Sequence, residues 1–462
     1  MKSHFGAPLL NLWLSFAKWS RRKAGQTNEP RHRPFAGAKE DTMSSLNRWL
    51  VTFSLAVVTI LIVIAIPNTS QATSQWSRKY KTSCVTCHTA FPRLNYYGEL
   101  FMRNGYQAPE NLVPDGDTLG KKTISDNLSI DHLENFIGIR VSATPLRAQT
   151  NKLIVNGEPK TKTTIGGIDW YQLFIAGSIA KNISIFVEAE NSGHSMHFSW
   201  FRVGFHNIAG SKMLNLYVGN LSPLDYTSYS NRLRQIGSVK ADVFGIKTSG
   251  GLGEDPYNTS SSRPGLMWYG GTGPVVFSAG ATNGPNATDV NDQMHYWGSV
   301  RLEIPESAES TWEGSNVTFW AYTGTDAIDT ATDQKTNDFN RYSVQANLRR
   351  KAWDLQVAYL SVTEDNYLLA AATDPQVEQT YGGMVVQLGY RSGRWFPCIL
   401  VDNVSYDDEA LSGLDRSHVT PSVSYFMREN VRVEGHVRLD QTDEVDGYVR
   451  SDDWRLNIRM MF

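Results

Sequence analysis

From about Phe136 to the end of the 462-residue chain, apolar and polar residues alternate one by one, segment after segment. In Val431–Asp440, Val431, Val433, Val437 and Leu439 share one face, and Arg432, Glu434, His436, Arg438 and Asp440 share the other. The last segment sets Trp454, Leu456, Ile458, Met460 and Phe462 against Arg455, Asn457 and Arg459. Tyr342, Val344, Ala346 and Leu348 alternate with Arg341, Ser343, Gln345, Asn347 and Arg349, and Ile183, Ile185, Val187 and Ala189 with Ser184, Glu188 and Glu190. A period of two means β-strands with one apolar and one polar face, and it excludes helices.

Such strands build either a sandwich, with apolar faces packed together, or a transmembrane barrel, with apolar faces on lipid and polar faces on the lumen. The repeat runs for more than three hundred residues, longer than a sandwich uses. Short turns (Arg428-Glu429-Asn430, Arg350-Lys351-Ala352) mix with long polar loops, as the two ends of a barrel require. Trp170, Trp200, Trp268, Trp297, Trp320, Trp353, Trp395 and Trp454 fall near strand ends, where interfacial girdles form. The expectation is an all-β, antiparallel transmembrane barrel of about 16 strands, closed so that no edge is exposed. The terminal Phe462 resembles the final aromatic that the insertion machinery reads in bacterial outer-membrane barrels. Pro421 falls inside an expected strand and predicts a bulge or a boundary there.

Ahead of the barrel stands Cys84-Val85-Thr86-Cys87-His88, the c-type haem attachment motif. The two thiols bond the two vinyl groups of one haem, and the adjacent imidazole becomes the proximal iron ligand. A redox CxxC pair and half a zinc site are the competing readings. The chain has only three cysteines, so no second pair completes a zinc site. Cys398, left alone, reads as a small apolar residue on a strand.

Covalent haem is attached outside the cytoplasm, and an export segment precedes the motif. Trp49–Ile66 is an almost unbroken apolar run behind Arg48, followed by Pro67 and an Asn68–Ala72 stretch that offers a cleavage site at Ser70-Gln71-Ala72. An uncleaved anchor is the alternative. Residues 1–42 lack apolar periodicity, and Met43 is an alternative start. A net charge of −2 gives no reason to expect a nucleic-acid partner.

The organisation expected is a leader over 1–72, a haem-binding segment over 73–110, a linker over 111–135 and the barrel over 136–462. Within the haem segment, Pro92 would start a short helix ending at Asn104-Gly105, with Leu94, Tyr97 and Phe101 on one face and Gly98 permitting a close approach. So small a segment cannot bury a haem by itself, which predicts that it plugs the barrel lumen. The sixth iron ligand is open: Met102 and His132 are candidates, as are His194, His197 and His206 reaching inward from the barrel, or an open iron site.

Cys84–His88, followed by Phe91-Pro92-Arg93-Leu94-Asn95, Gly98, Phe101 and Asn104-Gly105-Tyr106 and then by a porin-like part, resembles the fused monohaem cytochrome–porins of the bacterial outer membrane, whose best-known members are iron oxidases. The residue match covers about thirty positions, and the rest is a likeness of architecture. The resemblance implies one covalent haem c on Cys84 and Cys87 with His88 on the iron. It implies a plugged barrel in outer-membrane lipid, taking electrons from extracellular Fe(II) or another donor and passing them to a periplasmic c-type cytochrome. Competing functions are a conduit running outward to extracellular acceptors, a solute-conducting porin with a haem-bearing plug, and a periplasmic cytochrome tethered by Trp49–Ile66. Carboxylates at Asp326, Asp329, Asp333 and Asp338, at Asp407, Asp408 and Glu409, and at Asp443, Glu444 and Asp446 read as ordinary solvated loops; no iron ligand is assigned among them.

Overall fold

The computed structural model describes residues 74–108, 122–125, 128–130, 132–155, 158–192, 195–230, 233–246, 258–284, 293–305, 310–327, 336–365, 378–443 and 449–462. The leader and the Trp49–Ile66 run lie outside them. Among the described residues no helix is long and apolar enough to cross a membrane.

Sixteen antiparallel strands close into one barrel, each bonded to its neighbours in sequence. In chain order they are β1 Ile137–Val155, β2 Glu158–Ala180, β3 Ile183–Ser192, β4 Ser195–Phe205, β5 Asn215–Leu221, β6 Arg263–Thr272, β7 Val275–Thr282 and β8 His295–Glu303. The other half is β9 Asn316–Ala327, β10 Thr336–Arg350, β11 Trp353–Glu364, β12 Gln379–Tyr390, β13 Trp395–Tyr406, β14 Arg416–Arg428, β15 Val431–Asp440 and β16 Asp453–Met461. Closure joins β16 to β1, with Leu456 opposite Leu146 and Met460 opposite Val141. The terminal Phe462 finishes that seam: its N–H donates to the Ile139 carbonyl (2.8 Å) and its carbonyl accepts from the Ile139 N–H (3.0 Å).

The alternation sorts as expected. Along β10, Arg341, Ser343, Gln345, Asn347 and Arg349 are buried inside, while Tyr342, Val344 and Leu348 are exposed on the outer wall. Phe198, Leu266 and Phe319 are likewise exposed. An outer wall that presents large apolar side chains, with arginines turned inward, suits a bilayer-spanning barrel. Pro421 makes no bulge. It faces outward, opposite Ile399 in unbroken register, and the register shift on β14 falls at Phe426/Arg428 instead.

Two segments fill the lumen. The first is the 74–108 segment, at the end of the barrel that carries the short turns and the chain terminus. The second, after β5, comprises residues 222–230, 233–246 and 258–262; it lies inside the barrel and buries Leu224, Tyr229, Ile236 and Phe244. Its Tyr229 N–H donates to Gln345 Oε1 and its Gly237 N–H to Glu434 Oε2, both on lumen faces. This inward fold was not expected; the alternation predicts only polar outer loops. It also corrects the girdle. Trp268, Trp353 and Trp395 do face out. Trp200, Trp297 and Trp320 are buried inside, where the filled lumen gives large rings something to pack on, and Trp320 Nε1 donates to the Pro223 carbonyl. Between the first segment and β1, Lys122–Ser125 and Leu128–Ile130 pair as a short ladder within the expected linker.

Candidate functional site

The 74–108 segment begins with helix α1 (Gln75–Tyr80), passes through a single helical turn at Cys84–Thr86, and pairs His88–Ala90 with Arg93–Leu94. Helix α2 is Tyr96–Arg103, starting later than the expected Pro92. Asn95 is the reason: its Oδ1 accepts from the Gly98 N–H (2.9 Å) and so caps the helix. The same amide donates to the carbonyls of Val85 (3.1 Å) and Thr86 (3.0 Å), tying helix and motif together. Any Cβ at position 98 would collide with the Cys87 carbonyl, so the close approach that Gly98 permits is to backbone. Trp76 stacks on Tyr106 (centroids 4.9 Å), with Phe101 edge-on to Trp76 (5.5 Å).

Ion pairs seat this segment on lumen-facing side chains. Arg93 makes a two-pronged contact with Asp354 (2.9 and 3.0 Å), and Arg103 reaches Glu303 (3.0 Å). Glu99, buried on α2, meets Arg301 and Arg349 (2.5 Å), with Arg93 at 3.9 Å. Burial by itself would raise the Glu99 pKa; Arg301, Arg349 and Arg93 outweigh it and hold the carboxyl well below its usual range. At the barrel rim Glu429 accepts from Ser83 Oγ (2.5 Å) and from the Cys84 N–H (3.0 Å). These pairings were not read from sequence. Glu99 was hidden because it sits in an otherwise amphipathic helix, and its partners lie on strands more than two hundred residues away.

Cys84, Cys87 and His88 line one cavity of about 590 Å³, within the 300–1,000 Å³ range typical of cofactor sites. Its wall is part apolar, with Phe91, Leu94, Phe101, Phe174 and Phe186, and part charged, with Arg140, Arg202, Arg234 and Arg459 beside the carboxylates of Glu188, Asp225 and Glu429; Met102 also lines it. His88 Nδ1 is buried without a hydrogen bond, and the ring lies edge-on to Phe91 (5.3 Å). Burial lowers the His88 pKa to about 4, against opposing backbone groups of Arg93 and Pro92, so the imidazole is neutral and able to ligate. Burial pushes the Cys87 thiol up to about 12 and raises Cys84 as well. A redox CxxC pair needs the opposite shift. The residues therefore fit a haem: two unbridged thiols and a neutral imidazole open onto a cavity that is apolar along one part and carries arginines along another, matching a macrocycle with two carboxylates.

Of the sixth-ligand candidates, Met102 lines this cavity. His132 is exposed, pairs with Glu134 (3.8 Å) and does not line it. His206 is committed to Ser184 Oγ (2.7 Å) and Tyr269 Oη (2.6 Å), His197 is half-exposed beside Glu190, and His194 lies outside the described residues. Cys398 is buried on the lumen side, 3.3 Å from Gln235 Oε1. Of the loop carboxylates, Asp326 is buried against His295 (3.3 Å), while Asp329, Asp333, Glu444 and Asp446 are not among the described residues. Asp242, Asp402 and His418 bring ligand atoms within 4.8 Å of one another, but Arg438 stands among them, 2.7 Å from Asp242 and 3.2 Å from Asp402. A second opening of about 750 Å³ shares Trp170, Arg234 and Lys240 with the first and is lined further by Arg147, Arg416, Arg438 and Arg455 together with Asp242, Asp440 and Asp453.

Barrel and contents together define a porin-type barrel carrying a plug. No protein-family model matches the chain, and a comparison with curated proteins finds no match. Solved structures share the fold. The anion-selective porin from Comamonas acidovorans is 11% identical and matches over 71% of this chain and 99% of its own, with a TM-score of 0.50. Salmonella typhi OmpF, solved in complex with daunomycin, is 14% identical over 74% of this chain and 100% of its own, with a TM-score of 0.50.

Proposed function

We propose that this chain is an outer-membrane electron conduit: a porin-type barrel whose lumen holds one covalent haem c, taking electrons from extracellular Fe(II) and passing them to a periplasmic c-type cytochrome. One observation carries the reading. The only CxxCH motif opens onto a haem-sized cavity formed jointly by the plug and the barrel. Bound there, the haem would supply one-electron exchange. The chain's own groups supply position. Cys84 and Cys87 would fix the macrocycle, His88 would ligate the iron, and Met102, which lines the same cavity, would be a candidate second ligand. The ion pairs of Arg93, Glu99 and Arg103 hold all of this at the short-turn end, the periplasmic end in barrels of this class. An electron entering from outside thereby covers only part of the apolar band before reaching the cofactor. Fe(III) precipitates near neutral pH, so a device that moves charge and leaves iron outside avoids mineral in the cell.

A second reading is a solute-conducting porin with a haem-bearing plug. The arginine-lined second opening and the shared fold of an anion-selective porin favour it. Mixing purified haem-loaded protein with Fe(II) and following haem reduction optically separates the two. Reduction supports the conduit. No reduction at any pH from 3 to 7, together with a large open current in planar bilayers, supports the porin.

A further inference from the structure

Four arginines reach the haem-sized cavity from outside the 74–108 segment: Arg140 on β1, Arg202 on β4, Arg234 on the inward segment and Arg459 on β16; Arg202 is paired with Asp225 (2.7 Å). Arg459 is 4% exposed, and its hydrogen bonds go to neutral acceptors, from Nε to Ser142 Oγ (3.0 Å) and from Nη2 to the Gly237 carbonyl (3.1 Å). Its guanidinium lies over the Trp170 ring (5.6 Å). A Cβ at Gly237 would stand 2.7 Å from Arg459 Nη1 and 3.5 Å from Arg432 Nη1, so a further cation crowds the same spot.

The carboxylates around the cavity are engaged by groups other than Arg459. Asp225 holds Arg202 (2.7 Å), Glu188 holds Arg140 (3.3 Å), Glu190 holds His197 (3.2 Å) and Glu429 holds the Ser83–Cys84 corner. Among the described residues none pairs with Arg459. Burial pulls Arg234 down to about 10, with Tyr229 opposing and Arg140 adding to it. Glu434, the carboxylate whose charge acts on Arg459, already holds Arg432, Ser238 and His436. A buried guanidinium such as Arg459 with neutral acceptors alone is costly unless an anion completes it.

We propose that Arg459, with Arg140 and Arg234, is a carboxylate-binding edge of the cavity and anchors the two propionates of the haem. This rests on the haem reading above. It adds that the barrel wall, and not the plug alone, completes the cofactor site. Guanidinium–carboxylate pairing is charge-assisted and planar, so it positions the macrocycle as well as neutralising it.

The test is Arg459→Gln and Arg459→Lys in haem-loaded, folded protein, with the reduction potential titrated optically from pH 5 to 9. Removing a cation disfavours the reduced haem. Arg459→Gln should lower the reduction equilibrium constant about tenfold, ~59 mV for one electron, and introduce a pH dependence between 5 and 8 as the released propionate titrates. Arg459→Lys should recover most of the loss. Arg438→Gln, facing the second opening, should leave the potential unmoved. If Arg459→Gln fails to fold, Arg140→Gln and Arg234→Gln carry the same readout. A potential within twofold of the parent, with no new pH dependence, overturns the inference while leaving the haem reading intact; a parent chain without haem overturns both. Added acetate should have no effect, because the site is filled, and a shift on its addition would mean a free-anion site and overturn the assignment to propionates.

Discussion

Glu99→Gln should loosen the plug without harming the barrel. Glutamine keeps the shape and loses the charge that meets Arg301 and Arg349. The partners are not equally exposed to that loss. Arg301 keeps Glu303 (3.2 Å) and Arg93 keeps Asp354 (2.9 Å), whereas Arg349 is left with the carbonyls of Gly314 (2.9 Å) and Leu94 (3.3 Å). Breaking one side of a buried pair costs ~3–5 kcal/mol. With two of three arginines still paired, the lower end applies, ~3 kcal/mol, a shift of about 100-fold toward the undocked plug. Trypsin reads this directly, since Arg78, Lys79, Lys81, Arg93 and Arg103 all lie on the segment. When reclosing outpaces cleavage, the cutting rate follows the open population. Cleavage within 74–108 should rise about 100-fold at pH 7.5 while the strands stay intact. A rate within threefold of the parent would refute the claim that Glu99 anchors the plug.

Docking should also respond to acid in a defined window. The docked Glu99 carboxyl lies below its ordinary value of 4.5, so its contribution is full above that pH and is lost as pH falls toward the docked value. Trypsin is inactive there, so pepsin cleavage between pH 5 and 2.5 is the assay: flat above 4.5, then up to tenfold faster per unit below, beyond pepsin's own pH response on an unfolded control, with Glu99→Gln lacking that step. Gly98→Ala should cut the yield of haem-bearing protein severalfold, because its Cβ meets the Cys87 carbonyl; a normal yield would mean that α2 can shift away from the motif. Met102→Ala should lower the reduction potential and remove any near-infrared sulfur–iron band if Met102 takes the sixth position, and unchanged spectra would exclude it.

Much of the barrel was legible because its signal is local. Every strand must turn one face to lipid, so residues such as Tyr342 and Arg341 declare their sides by parity alone. The terminal Phe462 and the turns around Lys351 and Glu429 are local in the same sense. What fills the lumen was not legible. The inward course of residues 222–230 and 233–246, and with it the burial of Trp297 and Trp320, depends on contacts between chain positions roughly a hundred or more residues apart, as with Trp320 and Pro223 or Tyr229 and Gln345. Lumen arginines such as Arg301 and Arg349 look like pore lining until Glu99 is seen between them. Pro92 and Asn95 both signal a helix N-terminus, and the side-chain cap of Asn95 decides where the helix starts. The haem motif itself is a local pattern. The arginine edge that faces it is assembled from β1, the inward segment and β16, and has no sequence signature.

The central claim is a covalent haem within the barrel, and the intact mass of the denatured protein tests it most directly. Purified from cells equipped for cytochrome c maturation, the chain should carry the added mass of one haem after unfolding in acid, and Cys84→Ala with Cys87→Ala should lose it. A mature chain whose denatured mass is that of the bare polypeptide would contradict the account and leave a plugged porin-type barrel in its place.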